Sequence, residues 1–160
     1  MADVMTVEQR SRVMSRIRGK DTLPERYLNE LLMAGGLMFA RHDSSLPGKP
    51  DFVFSKAHVI VFVDGDFWHG WRFPLWKHRL AEFWRNKIEK NRARDQRNFR
   101  RLRRAGWKVV RIWEHEVEDN ARSCAMRIAT FAGEPVNIFR LDSRIAALPV
   151  LKRRKRLPKP

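Results

Sequence analysis

The spacing of apolar residues divides the chain into helical and extended stretches. From Thr22 the pattern T-x-x-E (Thr22, Glu25) forms a capping box and Pro24 suits a first turn. Leu28, Leu31 and Leu32 repeat at helical spacing until Gly35 and Gly36 stop the helix. "LMFARHD" predicts a short strand, "SLPGKP" a turn, and the runs "DFVFS" and "AHVIVFVD", about two residues apart, a β-hairpin. A loop rich in Trp, Phe and Pro, "GDFWHGWRFPLWKHR", leads into a long helix from about Ala81 to Ala105. Its few apolar positions include Phe83, Ile88, Phe99 and Leu102, and Gly106 ends it. "WKVVRIW" reads as another strand and "EVEDNARSCAMRIATFAG" as another helix. Within the first twenty residues Met5, Val7, Val13, Met14 and Ile17 are scattered among polar residues, so a short helix and an arm fit equally well.

This order predicts a single α/β domain, a mixed sheet flanked by helices, with the 81–105 helix as a crossover between strands. Residues 1–20 would be an arm or short helix, 21–135 the domain, and 136–160 a flexible basic tail ending "LKRRKRLPKP". The length of 160 residues suits one core rather than two.

Charge sharpens the picture. A formal charge of +16 and a pI near 11.2 imply a polyanionic partner, with nucleic acid ahead of an anionic membrane surface. No segment is apolar for long enough to span a membrane, and the N-terminus has no signal-peptide pattern, so a cytoplasmic protein is expected. The single cysteine, Cys124, excludes an internal disulfide and a cysteine-rich zinc cluster, and it reads as a buried thiol.

The candidate chemistry sits at the hairpin. The start of the first hairpin strand lies beside the end of the second, so Asp51 approaches Val63 and Asp64. By strand parity Asp51 and Val63 could share a face while Asp64 points away, unless the loop has begun to turn. Carboxylates at a strand end suit Mg²⁺, and a basic protein holding them suggests phosphodiester hydrolysis with His69 as the base. The alternatives are ordinary: a turn-capping aspartate and a surface histidine. Lys49 could stabilise phosphate charge. On the long helix Arg85, Lys87, Lys90, Arg94 and Arg97 form part of a one-sided basic surface suited to DNA phosphates.

Taken together, "MSRIRGKDT", "ERYLNELL", "SLPGKPDFVF", "VIVFVDGDFWHG", "EFWRNKIEKNRARDQRN" and "LRRAGWKVVRIWE" resemble the very-short-patch repair (Vsr) endonucleases, which nick DNA at T:G mismatches. The resemblance implies a restriction-endonuclease-like fold and Mg²⁺-dependent cleavage of one strand. Asp51 stands at the family's metal-binding aspartate, His69 at its catalytic histidine, and Val63 where a main-chain carbonyl binds the ion. Glu25 matches an acid near the active site, a reading that stands beside the capping box. Met14, Phe67 and Trp68 stand where the family wedges apolar side chains into the duplex. A wedge costs a few kcal/mol of unstacking per step, less at a weakly held mispair. Gly65 and Gly70 on either side of Phe67 and Trp68 predict an exposed, tightly turned loop.

Two departures matter. The best-known members hold a structural zinc where this chain has Asp66, Trp71, Phe73 and, approximately, His115. Two donors cannot rebuild that site, so no structural zinc is expected and Trp71, Phe73 and Trp76 would fix the loop by apolar packing. Asp64 replaces a second active-site histidine and could coordinate the cation or orient its water. The partner expected is double-stranded DNA carrying a mismatch; nicking needs one active site, so a monomer is expected. A Vsr-like nicking or defence nuclease without mismatch specificity, and an inactive DNA-binding module, are the alternatives.

Overall fold

A computed structural model describes residues 6–16 and 19–151. Its elements are α1 (Val7–Arg16), α2 (Leu23–Ala34), β1 (Ala40–Arg41), β2 (Phe52–Phe54), β3 (Val59–Asp64), α3 (Glu82–Arg104), β4 (Lys108–Trp113), α4 (Glu114–Ala132) and α5 (Ile138–Ala147). Two short 3₁₀ turns, Phe73–Leu75 and Lys77–Arg79, lie in the aromatic loop between β3 and α3.

The four strands are ordered β1-β2-β3-β4. β2 and β3 form the antiparallel hairpin, β3 and β4 run parallel, and α3 is the crossover between them. Every residue of β3 is buried, as befits a strand covered on both faces. Val59, Val61 and Val63 face one layer, where they join Leu28, Leu31 and Leu32 of α2 and Ile128 of α4. Ile60 and Phe62 face the other, against Phe99 and Leu102 of α3. The sequence expectation of a mixed sheet between helices therefore holds.

Of the two readings left open for the N-terminal stretch, residues 7–16 take the helix. One boundary differs from the sequence reading. Within the stretch expected to be a flexible tail, α5 is a docked helix: Asn137 caps it by accepting from the Arg140 N–H, and Leu141 is fully buried in the main core. An amphipathic helix ten residues long needs only one such anchoring face, here Leu141, and so short a stripe stands out little beside the basic run that follows it. The basic run Lys152, Arg153, Arg154, Lys155 and Arg156 lies outside the described residues.

Candidate active site

A cleft of about 570 Å³ opens at the C-terminal end of β3, lined among others by Glu25, Lys49, Asp51, Val63, Asp64, His69, Arg94 and Asp95. The hairpin register explains why it is acidic. Phe52 pairs with Val61, which sets Asp51 opposite Phe62. Asp51 therefore has the parity of Asp64, not of Val63, and the expectation that Asp64 points away is corrected. The contact with Val63 is made by its backbone: the Val63 N–H donates to Asp51 Oδ2 at 2.7 Å.

On one side of the cleft lies Glu25, on the first turn of α2. Both sequence readings of this residue are met by one side chain. Its Oε1 accepts from the Thr22 hydroxyl at 2.7 Å and its Oε2 from the Asp21 N–H at 2.8 Å, while the carboxylate lines the cleft beside Asp51. Burial, with Glu25 next in importance, pushes the Asp51 carboxyl well above its ordinary range, against the pull of the Val63 N–H. His42 completes this corner. Its Nε2 lies 3.1 Å from Asp21 Oδ1 and its Nδ1 3.7 Å from Asp51 Oδ1. Asp21, Glu25 and His42 together form a group able to hold a metal ion. Sequence reasoning missed Asp21 and His42; both take left-handed backbone angles, φ 53° and 51°, a local turn signal that spacing alone does not reveal.

The second side of the cleft is built on His69. Its Nδ1 is 2.6 Å from Asp95 Oδ2 and 3.3 Å from Asp64 Oδ1. Ionised carboxylates only accept, so in the neutral ring the proton belongs on Nδ1, an arrangement that leaves the Nε2 lone pair for use as a base. Asp64 is itself held by the Arg111 guanidinium through Nε–H. Burial raises the Asp64 carboxyl, opposed by His69 and Arg111. Burial also acts to raise Asp95, but the hydrogen bond from His69 and the neighbouring Arg94 outweigh it, so its carboxyl is lowered. Asp95 was not foreseen. Its signal was present, because Ile88, Asp95, Phe99 and Leu102 are the buried positions of α3 and one of them is an acid.

The aromatic loop is less exposed than expected. Phe67 stacks on Trp76 and meets Trp68 edge-on at 4.9 Å, and both contact Trp84. Gly70 serves close packing rather than an exposed turn. It is buried at φ +68°, where an added Cβ would lie 2.9 Å from Arg92 Cδ and 3.0 Å from Ile88 Cγ2 and Phe73 Cβ. The residues expected to stand in for zinc divide into two groups. Phe73 and Trp76 pack with Ile88, whereas Trp71 meets Trp113 and His115 at tilted angles. The Trp76 indole N–H donates to the Trp71 carbonyl at 2.7 Å and joins the groups. His115 Nδ1 lies 2.7 Å from Asp66 Oδ1, so two positions named for the zinc site are joined by a hydrogen bond.

Of the predicted cations, Lys49 and Arg94 line the cleft, Arg94 with its Nη2 3.1 Å from Asp95. Lys90 and Arg97 are exposed on α3, and Arg85 and Lys87 are half-buried there. The side chain of Met14, on α1, lies outside the described residues.

Buried acids facing a poised imidazole under a basic rim are what hydrolysis of a nucleic-acid phosphodiester asks of a protein, and they set the chain among the nucleases. Residues 2–74 match the family described as DNA mismatch endonuclease Vsr. The chain is 38% identical over 148 residues to type II nicking enzyme V.NmeDIP of Neisseria meningitidis serogroup C, covering 89% of this chain and 98% of the relative. It is 42% identical over 122 residues to type II nicking enzyme V.XorIIP of Xanthomonas oryzae pv. oryzae, covering 74% and 89%. With DNA mismatch endonuclease Vsr of Escherichia coli K12 it shares 43% identity over 116 residues, 71% of this chain and 74% of that one. The chain belongs to the Vsr family and is a DNA endonuclease of restriction-endonuclease-like fold. Among the described residues no helix is long and apolar enough to cross a membrane.

Proposed function

We propose that the protein nicks one strand of duplex DNA beside a T:G mispair, as a monomer, with Mg²⁺. The observation that carries this reading is the pairing, within one cleft, of partly buried Asp51 with a carboxylate-held His69. The donor set fits a hard divalent cation: Asp51 is partly buried near a second acid, its carboxyl is pushed up by burial and by Glu25, and only its Oδ2 is used by the Val63 N–H. Asp51 and the Val63 carbonyl would hold the ion, which supplies charge stabilisation to the phosphate when bound.

His69 Nε2 would take the proton of the attacking water, with the imidazolium stabilised by Asp95 and Asp64. Lys49 and Arg94 would meet phosphate oxygens at the cleft. Phe67 and Trp68 would enter the duplex at the mispair, where unstacking costs least, backed by Trp76 and Trp84.

Nicking without mismatch preference remains the second reading, favoured by relatives named as type II nicking enzymes and by the packing of Phe67 against Trp76. Cleavage of end-labelled duplexes with one T:G mispair, and of fully paired duplexes, distinguishes the two readings when wild type and Asp51→Ala are assayed with Mg²⁺. Mismatch-dependent nicking lost in the variant supports the first reading. Equal nicking of both duplexes supports the second, and binding without Asp51-dependent cutting means an inactive DNA-binding module.

A further inference from the structure

Arg111 stands behind the active site rather than in it. The pairing of Phe62 with Arg111 across β3 and β4 sets it on the face of Asp64, and it does not line the cleft. Its Nε–H donates to Asp64 Oδ2, and its Nη2 lies 3.7 Å from Asp95 Oδ2. Both acids meet the same atom, His69 Nδ1. The guanidinium is fixed in turn by aromatic faces, 4.1 Å from the Trp113 ring centroid and 5.3 Å from that of Phe99. Nη2 is buried and has no hydrogen-bond partner among the described residues, which leaves its charge directed at Asp95.

Without a cation here, two buried carboxylates would face each other across one imidazole. Their repulsion would separate them, and either could capture the ring in a different orientation. A planar guanidinium can address both acids at once, which a lysine ammonium cannot do in the same geometry.

We propose that Arg111 is a positioning residue for His69: it holds Asp64 and Asp95 together around Nδ1, and Asp64 thereby serves the imidazole rather than the cation. This inference rests on the nuclease reading above for its kinetic consequences, but its structural consequence can be read without substrate.

The test combines Arg111→Met, which keeps an apolar stem over Trp113, with Arg111→Lys, Asp64→Asn and the double variant Asp64→Asn/Arg111→Met. In single-turnover nicking, Arg111→Met should lose about 10–100-fold in rate, the range typical of residues that orient a working ligand, with duplex Kd changed less than about threefold. Asp64→Asn added to Arg111→Met should recover part of that loss, because it removes the repulsion that the arginine had balanced. Arg111→Lys should be intermediate. The Mg²⁺ concentration giving half-maximal rate should stay within about threefold of wild type in Asp64→Asn.

Two-bond ¹H–¹⁵N spectra, with His69 assigned against His69→Gln, should show one Nδ1–H tautomer in wild type and a mixture in folded Arg111→Met. Melting curves would establish that each variant is folded. An unchanged His69 spectrum in folded Arg111→Met would overturn the proposal. So would a further loss of rate in the double variant, or a large shift of Mg²⁺ dependence in Asp64→Asn. Failure of wild type to nick any duplex would defeat the nuclease reading while leaving the spectral result to judge Arg111.

Discussion

Gly70→Ala tests how the loop bearing His69 is anchored to α3. Two costs are separable. The backbone at φ +68° lies in the left-handed region, which costs an L-residue about 1–2 kcal/mol. The new methyl would also meet Arg92 Cδ at 2.9 Å and both Ile88 Cγ2 and Phe73 Cβ at 3.0 Å. Arg92 could swing only by straining its hydrogen bond to the Gly70 carbonyl, 2.6 Å long, and Phe73 Cβ cannot move without its backbone. Overpacking of this kind costs about 1–3 kcal/mol, and the sum is about 2–5 kcal/mol. For a domain of this size each kcal/mol lowers Tm by about 2–4 °C, so a fall of roughly 4–20 °C is expected in thermal unfolding followed by circular dichroism. Gly36→Ala is the control, since its φ is +85° but nothing lies within 4 Å of the new Cβ. It should show the backbone cost alone. If Gly70→Ala melts no lower than Gly36→Ala, the close approach of loop and helix does not hold as described.

Further outcomes follow from the same site. The raised Asp51 carboxyl means that its ionisation opposes folding: the penalty is absent below its ordinary pKa and grows as pH rises towards the folded-state value. Asp51→Asn should therefore melt above wild type at neutral pH and lose that advantage near pH ~4, and Mg²⁺ should raise the Tm of wild type only. Elemental analysis of the purified protein should find far less than one zinc per chain, and His115→Ala, which removes the partner of Asp66, should cost about 1 kcal/mol in denaturant unfolding without becoming zinc-dependent. Trp68→Ala should reduce the preference for T:G over paired duplex, measured as a ratio of nicking rates. Removing an exposed α3 cation by Arg97→Ala should weaken all duplexes alike and, if it contacts one phosphate, flatten the log–log salt dependence of binding by about 0.9.

Local chemistry was legible in the chain itself. The period of Leu28, Leu31 and Leu32, the capping pair Thr22 and Glu25, and the hairpin runs around Ser55 to His58 each depend on neighbours a few residues away, so the sequence determined α2, the β2–β3 hairpin and the crossover helix. It also put Asp51 and His69 forward as candidates, because an acid at a strand end and a histidine among aromatics stand out against a strongly basic background, and the structure brings both to one cleft. Other features belonged to tertiary structure alone. The hairpin register, with Phe52 opposite Val61, decided that Asp64 shares the parity of Asp51, a choice that one residue of slip would reverse. The packing of α3 on the sheet decided that Asp95, twenty-six positions from His69, would hold its ring. The parallel pairing of β3 with β4 decided that Arg111 would stand behind both acids. Such contacts join groups distant along the chain, and burial is what makes them strong: the same charges left in water would have little hold on one another.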